Sequence, residues 1–366
     1  MPNRDEHQSA RSYSSSPDEV STFNPNLKRQ ASSRSPSARS AEEYVSGILE
    51  GDRVVLSQAI TLLESTRPDH QETAQTVVER CLPQAGDSIR VAVTGVPGVG
   101  KSTFIEALGP ALLEEDRRLA VLTVDPTSER SQGSILGDKT RMGALASSDD
   151  VYIRPSPTAG TLGGVARKTR ETIFLCEAAG FDTILVETVG VGQSEVTVRS
   201  MVDVFLLLAL AGAGDELQGI KRGIVEMADV LAINKADGEN KTAAEEARSE
   251  YGKALRLLGE PESGWTPPVL TCSAETGNGI REVWSSIQEY CRYTKENGYF
   301  GQQRQEQSRH WMYQSIEETL RSDFFETPAV QSALEEVEEK VLNGTLSSFA
   351  AAKKLLSVYR RTDASD

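Results

Sequence analysis

The sequence predicts an α/β fold: a mostly parallel sheet covered by helices on both faces, with helical extensions at the N- and C-terminal ends. Three observations predict it. Between 88 and 296, short β-rich apolar runs alternate with segments of helical periodicity. The first run, Val91-Ala92-Val93-Thr94, leads into the glycine loop Gly95-Val96-Pro97-Gly98-Val99-Gly100-Lys101-Ser102-Thr103, after which Phe104, Ile105, Leu108 and Leu112 recur at helical spacing. On either side of that span, 41–87 and 297–366 carry helical stripes alone.

Taken in order, residues 1–40 are rich in Ser and Arg and poor in large apolar side chains, as in a disordered tail. Asp5, Glu6, Asp18 and Glu19 argue against an organelle transit peptide, and no apolar core of a secretory signal is present, so a cytoplasmic location is expected. The N-terminal helical segment, 41–87, shows three faces: Tyr44, Ile48 and Leu49; Val54, Leu56, Ile60 and Leu63; Ala74, Val77, Val78 and Cys81. Gly51-Asp52 and Pro68-Asp69 separate them. In the sheet domain, 88–296, the runs 90–94, 119–124, 183–187, 204–210, 230–234 and 269–272 read as strands. The segments 102–113, 165–179, 217–227, 241–258 and 280–293 read as helices. Such a sheet binds ligands at the carboxyl ends of its strands. In 297–366 the stripes are Trp311, Met312, Ile316 and Leu320; Val330, Leu334, Val337 and Val341; and Ala351, Leu355 and Val358, with Asn343-Gly344 as a stop. A helical arm after a finished sheet has little of its own to bury against, so a homodimer contact is expected there.

Composition excludes several classes. Of the 366 residues, 54 are Asp or Glu against 39 Lys or Arg, a net charge of −15, and a nucleic-acid or anionic-membrane partner would demand clustered cations instead. The four cysteines, Cys81, Cys176, Cys272 and Cys291, form no C-x-x-C pair and read as buried free thiols in a reducing compartment. No apolar stretch approaches the ~20 residues of a membrane span; the longest, 204–211, suits a buried parallel strand.

The loop Gly95–Thr103 matches G-x-x-x-x-G-K-[ST], which puts the domain among P-loop NTPases. Its glycines let backbone N–H groups curl around phosphate oxygens at a helix N-terminus. Lys101 is expected to reach the β- and γ-phosphates, and Ser102 to offer its hydroxyl to Mg²⁺. About 130 residues downstream, Asn234-Lys235-Ala236-Asp237 ends a strand and matches N-K-x-D, the guanine-reading signature. The Asp237 carboxylate accepts from guanine N1–H and the exocyclic amine. Adenine offers neither donor, and a polar group left unpaired in a buried site costs ~1–3 kcal/mol. Ser273-Ala274-Glu275, after Cys272, resembles the S-A turn that braces the base. Glu187 ends the run 183–187 at the place of a Walker-B acid and is followed by Gly190, so Glu187 is a candidate for the Mg²⁺ shell or the attacking water, and 189–195 for a switch. Asp125 and Asp138 are further candidates for the metal shell; before Pro126, Asp125 equally suits a turn. The glycine-rich stretch 212–223 reads on its residues as a mobile loop leading into a helix.

Five strings together, Gly95–Thr103, GSILGDKTRM at 133–142, VETVGVGQSE at 186–195, GDELQGIK at 214–221 and Asn234–Asp237, resemble the MeaB/ArgK family of P-loop GTPases over 41–359. The resemblance implies a GTP-hydrolysing chaperone of an adenosylcobalamin-dependent acyl-CoA mutase, typically methylmalonyl-CoA mutase, gating cofactor loading and protecting the client. It implies Mg²⁺ with GTP or GDP as ligands and a homodimer through the C-terminal helices. Lys101, Glu187 and Asp125 would be catalytic, and Ser102, Asp125, Asp138 and Glu187 would surround the metal. Gln193, Asp215 and Lys221 would couple the switches to the client. Thr127–Gln132 and Ala211 depart from the family's usual first and third switches. Other readings are a nickel-inserting GTPase, which needs more than the scattered His7, His70 and His310, and a kinase linked to arginine/ornithine transport, for which no H-R-D or D-F-G set exists. A nucleotide-sensing dimer with negligible turnover is the non-enzymatic reading.

Overall fold

The computed structural model describes residues 39–124, 142–155, 162–188, 194–212 and 222–363. Three helices lead in. α1 (Ala41–Leu49) starts on a capping box, in which the Ser40 hydroxyl accepts from the Glu43 N–H and the Glu43 carboxylate accepts from the Ser40 N–H. The Asp52 carboxylate caps α2 (Arg53–Glu64), and Pro68 opens α3 (Pro68–Cys81).

The sheet follows: β1 (Ile89–Gly95), α4 (Lys101–Glu114), β2 (Leu119–Val124), α5 (Gly143–Ala146), β3 (Val151–Arg154), α6 (Leu162–Ala178), β4 (Thr183–Thr188), α7 (Ser194–Arg199), β5 (Val204–Leu210), α8 (Arg222–Glu226), β6 (Val230–Asn234), α9 (Lys241–Arg256), β7 (Val269–Thr271) and α10 (Ile280–Glu296). Strand order is β3-β2-β4-β1-β5-β6-β7, and every pairing is parallel. The two edge strands are the shortest, which limits the unpaired backbone offered to other chains. β3 was not among the expected runs. Val151–Arg154 is too short for a periodic signal, and Arg154 at its end is satisfied by Glu64 of α2.

Alternate residues of the central strands face opposite cores. Val91, Val93, Leu185, Leu206 and Leu208 pack with Phe104 and Leu108 of α4 and Trp284 and Ile287 of α10. Ala92, Ile184, Val186, Phe205 and Leu207 face the other core, which holds Ile173 and Cys176 of α6, Tyr251 of α9, and Tyr44, Ile60 and Val77 of the leading helices. The strands are apolar on both faces because both faces are covered.

α11 (Tyr299–Glu326), α12 (Pro328–Leu342) and α13 (Ser348–Asp363) complete the chain. α11 is tied to the amino ends of the strands by a buried ionic network. The Arg304 guanidinium donates to both oxygens of Asp203, each at 2.7 Å, and to the Ser88 carbonyl. Asp203 also accepts from the Arg90 N–H, and Arg90 grips Glu177 with two bonds of 2.8 Å. Taking one partner from such a set leaves a buried charge unpaired, at about 3–5 kcal/mol. Further out, Val330 and Val337 of α12 close on Ala351 and Leu355 of α13 as a small separate core. The Met312, Ile316 and Leu320 stripe of α11 stays exposed, at 51%, 47% and 59%.

Candidate functional site

The carboxyl ends of β1, β4, β6 and β7 meet along one edge. β1 is the topological switch point. The chain leaves it toward β2 on one side and later returns to β5 on the other, which opens a crevice at its carboxyl end. The loop 95–100 sits in that crevice. Gly95 has φ of 147°, and a Cβ there would lie 2.3 Å from the Leu208 carbonyl oxygen, so only glycine lets β1 turn this close to β5. Gly100, with φ of 97°, is the N-cap of α4, and no side chain caps that end. The first N–H groups of a 14-residue helix are therefore left without a side-chain cap at the loop, an arrangement whose chemistry suits an anion.

Lys101 begins α4 and is buried. Its ammonium donates to the Gly95 carbonyl at 2.8 Å and the Val96 carbonyl at 3.3 Å, so the lysine folds over its own loop. Burial pushes its pKa below the ordinary lysine value, while the carboxylates of Glu187 and Glu195 act in the opposite direction. Ser102 donates its hydroxyl to Glu187 Oε1 at 2.7 Å. The register explains the meeting: Glu187 of β4 pairs with Val93 of β1, two residues before the loop. Beneath, the Thr188 hydroxyl donates to Thr94 at 2.9 Å and ties the two strand ends. Ser102 and Glu187 present hard oxygens side by side. This donor set fits Mg²⁺, which takes one or two protein oxygens and fills its octahedron with phosphate and water. Among the described residues no group of three or more His, Cys, Asp or Glu could hold an ion without such help.

The second half of the edge is built around Asn234, at the end of β6. Its amide Nδ2 donates to the Val99 carbonyl of the glycine loop at 2.8 Å, and its Oδ1 accepts from the Ala274 N–H at 3.1 Å. Lys235, held in the left-handed region at φ of 59°, donates to the Gly98 carbonyl at 2.8 Å. A non-glycine residue in that region is uncommon and is held there by its surroundings; the Asn240 amide donates to its carbonyl at 2.7 Å. Asp237 accepts from the Ser273 hydroxyl at 2.5 Å, and that hydroxyl accepts from the Thr276 N–H. Glu275 is exposed.

The structure thus brings Gly95–Thr103, Glu187, Asn234, Lys235, Asp237, Ser273 and Ala274 to one edge. Asp125, Asp138, Gln193, Asp215 and Lys221 lie outside the described residues. Two contributors escaped sequence reasoning. Glu195, at the start of α7, is 1% exposed and within electrostatic reach of Lys101. It is the last residue of the stretch 189–195, which the sequence offers as a switch. Cys272 lies against Asn234, and no pattern of cysteines could announce it.

The family model described as "Methylmalonyl Co-A mutase-associated GTPase MeaB" matches residues 56–329. A protein of Mycobacterium tuberculosis named a probable GTPase is 52% identical over 313 residues, covering 86% of this chain and 93% of its own. The mouse "Methylmalonic aciduria type A homolog, mitochondrial" is 45% identical over 332 residues, covering 88% of this chain and 80% of its own. Among solved structures, one described as a "LAO/AO transport system kinase" is similar with a TM-score of 0.70 at 37% identity, covering 87% of this chain and 97% of that one.

Proposed function

The chain belongs to the MeaB family of methylmalonyl-CoA mutase-associated GTPases and is itself a GTPase, and from that premise we propose how it holds its nucleotide and what it serves. GTP lies along the carboxyl edge of the sheet, its phosphates on the N–H groups of Gly95–Thr103 and its guanine between Asp237 and the Ser273-Ala274-Glu275 turn. The observation that carries this reading is Asn234, one buried amide bonded at once to the glycine loop and to that turn. A phosphate site and a base site fixed to each other at that spacing suit one mononucleotide.

On GTP entry the Lys101 ammonium exchanges the Gly95 and Val96 carbonyls for β- and γ-phosphate oxygens. Ser102 and Glu187 would hold Mg²⁺, and Asp125 and Asp138 would complete its surroundings. When bound, the ion neutralises charge on the phosphates. Glu187 also orients the attacking water, with Asp125 and Lys101 contributing to catalysis. Gln193, Asp215 and Lys221 carry the nucleotide state to the partner. The partner is an adenosylcobalamin-dependent acyl-CoA mutase, in the first place methylmalonyl-CoA mutase, whose cofactor loading and protection the GTPase gates in the cytoplasm. The family's description and the naming of the mouse relative support this. The exposed stripe Met312, Ile316 and Leu320 supports a homodimer. A net charge of −15 speaks against nucleic acid as a partner, and no helix among the described residues is long and apolar enough to cross a membrane. The transport-kinase label is a naming variant within the same family and adds no second chemistry.

The test is GTP turnover with and without purified methylmalonyl-CoA mutase, alongside a pull-down under GTP and GDP. We expect at least about a tenfold rise in rate, since a partner that completes a GTPase site commonly adds far more. No rise and no complex in either nucleotide state would remove the chaperone reading and leave the GTPase.

A further inference from the structure

Cys272 follows β7 and is 2% exposed. Its Sγ lies 3.7 Å from Asn234 Oδ1. The orientation of that amide is fixed by backbone groups of known polarity: Nδ2 must face the Val99 carbonyl, and Oδ1 must face the Ala274 N–H. The sulfur therefore faces an acceptor, and its proton makes it the donor. The backbone of the same residue is engaged with the same loop. The Cys272 N–H donates to the Ile233 carbonyl, and the Cys272 carbonyl accepts from the Ala236 N–H, each at 2.9 Å. Gly279, at φ of 74°, presses from behind. A Cβ there would lie 2.3 Å from the Thr271 oxygen and 3.2 Å from the Cys272 Cβ, so only glycine lets the chain pass this close behind Cys272.

We propose that Cys272 is a positioning residue for the nucleotide. Its S–H gives a hydrogen bond to Asn234 Oδ1 and holds the amide in the orientation that joins the base turn to the phosphate loop. This rests on the reading of the edge as a guanine-nucleotide site. Burial raises the thiol pKa to about 12, so it keeps its proton through the neutral range and serves as a donor, not a nucleophile.

The experiment uses the full chain and a fluorescent GDP, comparing release rates for Cys272→Ala, which removes the donor, Cys272→Val, which also fills the space, and Cys272→Ser, which restores an O–H donor. Alanine and valine are expected to speed release about fivefold and serine less than twofold, because only the first two take away the second donor of the Asn234 oxygen and leave it held by the Ala274 N–H alone. Circular dichroism and melting of each nucleotide-free variant are measured alongside, and release is compared among variants that keep the parent's fold. The S–H stretching band that serine removes from the infrared spectrum is expected on the low-frequency, hydrogen-bonded side. Equal release from alanine and serine, release from alanine matching the parent, or a band at the free-thiol position would overturn the inference. Failure of the parent to bind GDP would instead sink the reading of the site.

Discussion

Lys101→Ala is expected to lower kcat/KM for GTP by about 10²–10³-fold, the usual loss when one preorganised donor to a developing charge is removed. The side chain is 8% exposed and starts the helix whose N–H groups face the loop, so it supplies the one full positive charge among those donors. Its partners in the nucleotide-free state are carbonyls of its own loop, Gly95 and Val96. The substitution removes hydrogen bonds only to its own loop, but it also takes a positive charge from beside Glu187 and Glu195, so circular dichroism should show the parent's fold while melting falls modestly. Phosphate release under saturating and limiting GTP, with Mg²⁺ present, is the measurement. A variant that keeps the parent's GTP affinity refutes the phosphate-loop assignment.

Asp237→Asn is expected to turn the preference from GTP toward xanthosine triphosphate by about 10²–10³-fold. Guanine presents two donors to the carboxylate, and xanthine replaces the exocyclic amine with a carbonyl. An asparagine can donate to that carbonyl and cannot accept from the amine as a carboxylate does. Two mismatched buried groups at ~1–3 kcal/mol each, with ~1.4 kcal/mol per factor of ten, span about 30-fold to 2 × 10⁴-fold, and the expected change lies in the middle of that span. The Ser273 hydroxyl, now on Asp237, is a donor that the asparagine oxygen can still receive, so the turn keeps its brace. Competition of GTP, XTP and ATP for the variant is the measurement, and continued preference for GTP would show that another group reads the base.

The sheet and its phosphate loop were legible because their signals are local. A strand of Val and Ala, a glycine loop with Lys-Ser-Thr and a helix with Phe104, Ile105 and Leu108 on one stripe all occur within 25 consecutive residues, 90–114. Asn234–Asp237 was legible for the same reason: it is a short motif at the end of an apolar run. What joins these pieces was not, because it is carried by contacts between residues far apart in sequence. Asn234 bonds to Val99, 135 residues away, and Ser102 to Glu187, 85 away. Neither pairing follows from spacing; both follow from the order β4-β1-β5-β6, which sets these strand ends side by side. β3 was missed because four residues carry no period. The burial of Glu195 was missed because an acid after Gly190 and Gln193 reads as an exposed loop residue. The stripe of α11 divides in the structure: Trp311 donates to the Ser200 carbonyl and packs against the core, while Met312, Ile316 and Leu320 stay exposed, a division that helical spacing alone does not give.

A crystal grown with Mg²⁺ and GDP would show the whole strand edge occupied at once. The diphosphate is expected on the N–H groups of Gly95–Thr103, the ion beside Ser102 and Glu187, the guanine edge against Asp237, and the Lys101 ammonium withdrawn from the Gly95 carbonyl toward the β-phosphate. A purine bound elsewhere, or Lys101 still seated on Gly95 with the nucleotide in place, would contradict this arrangement.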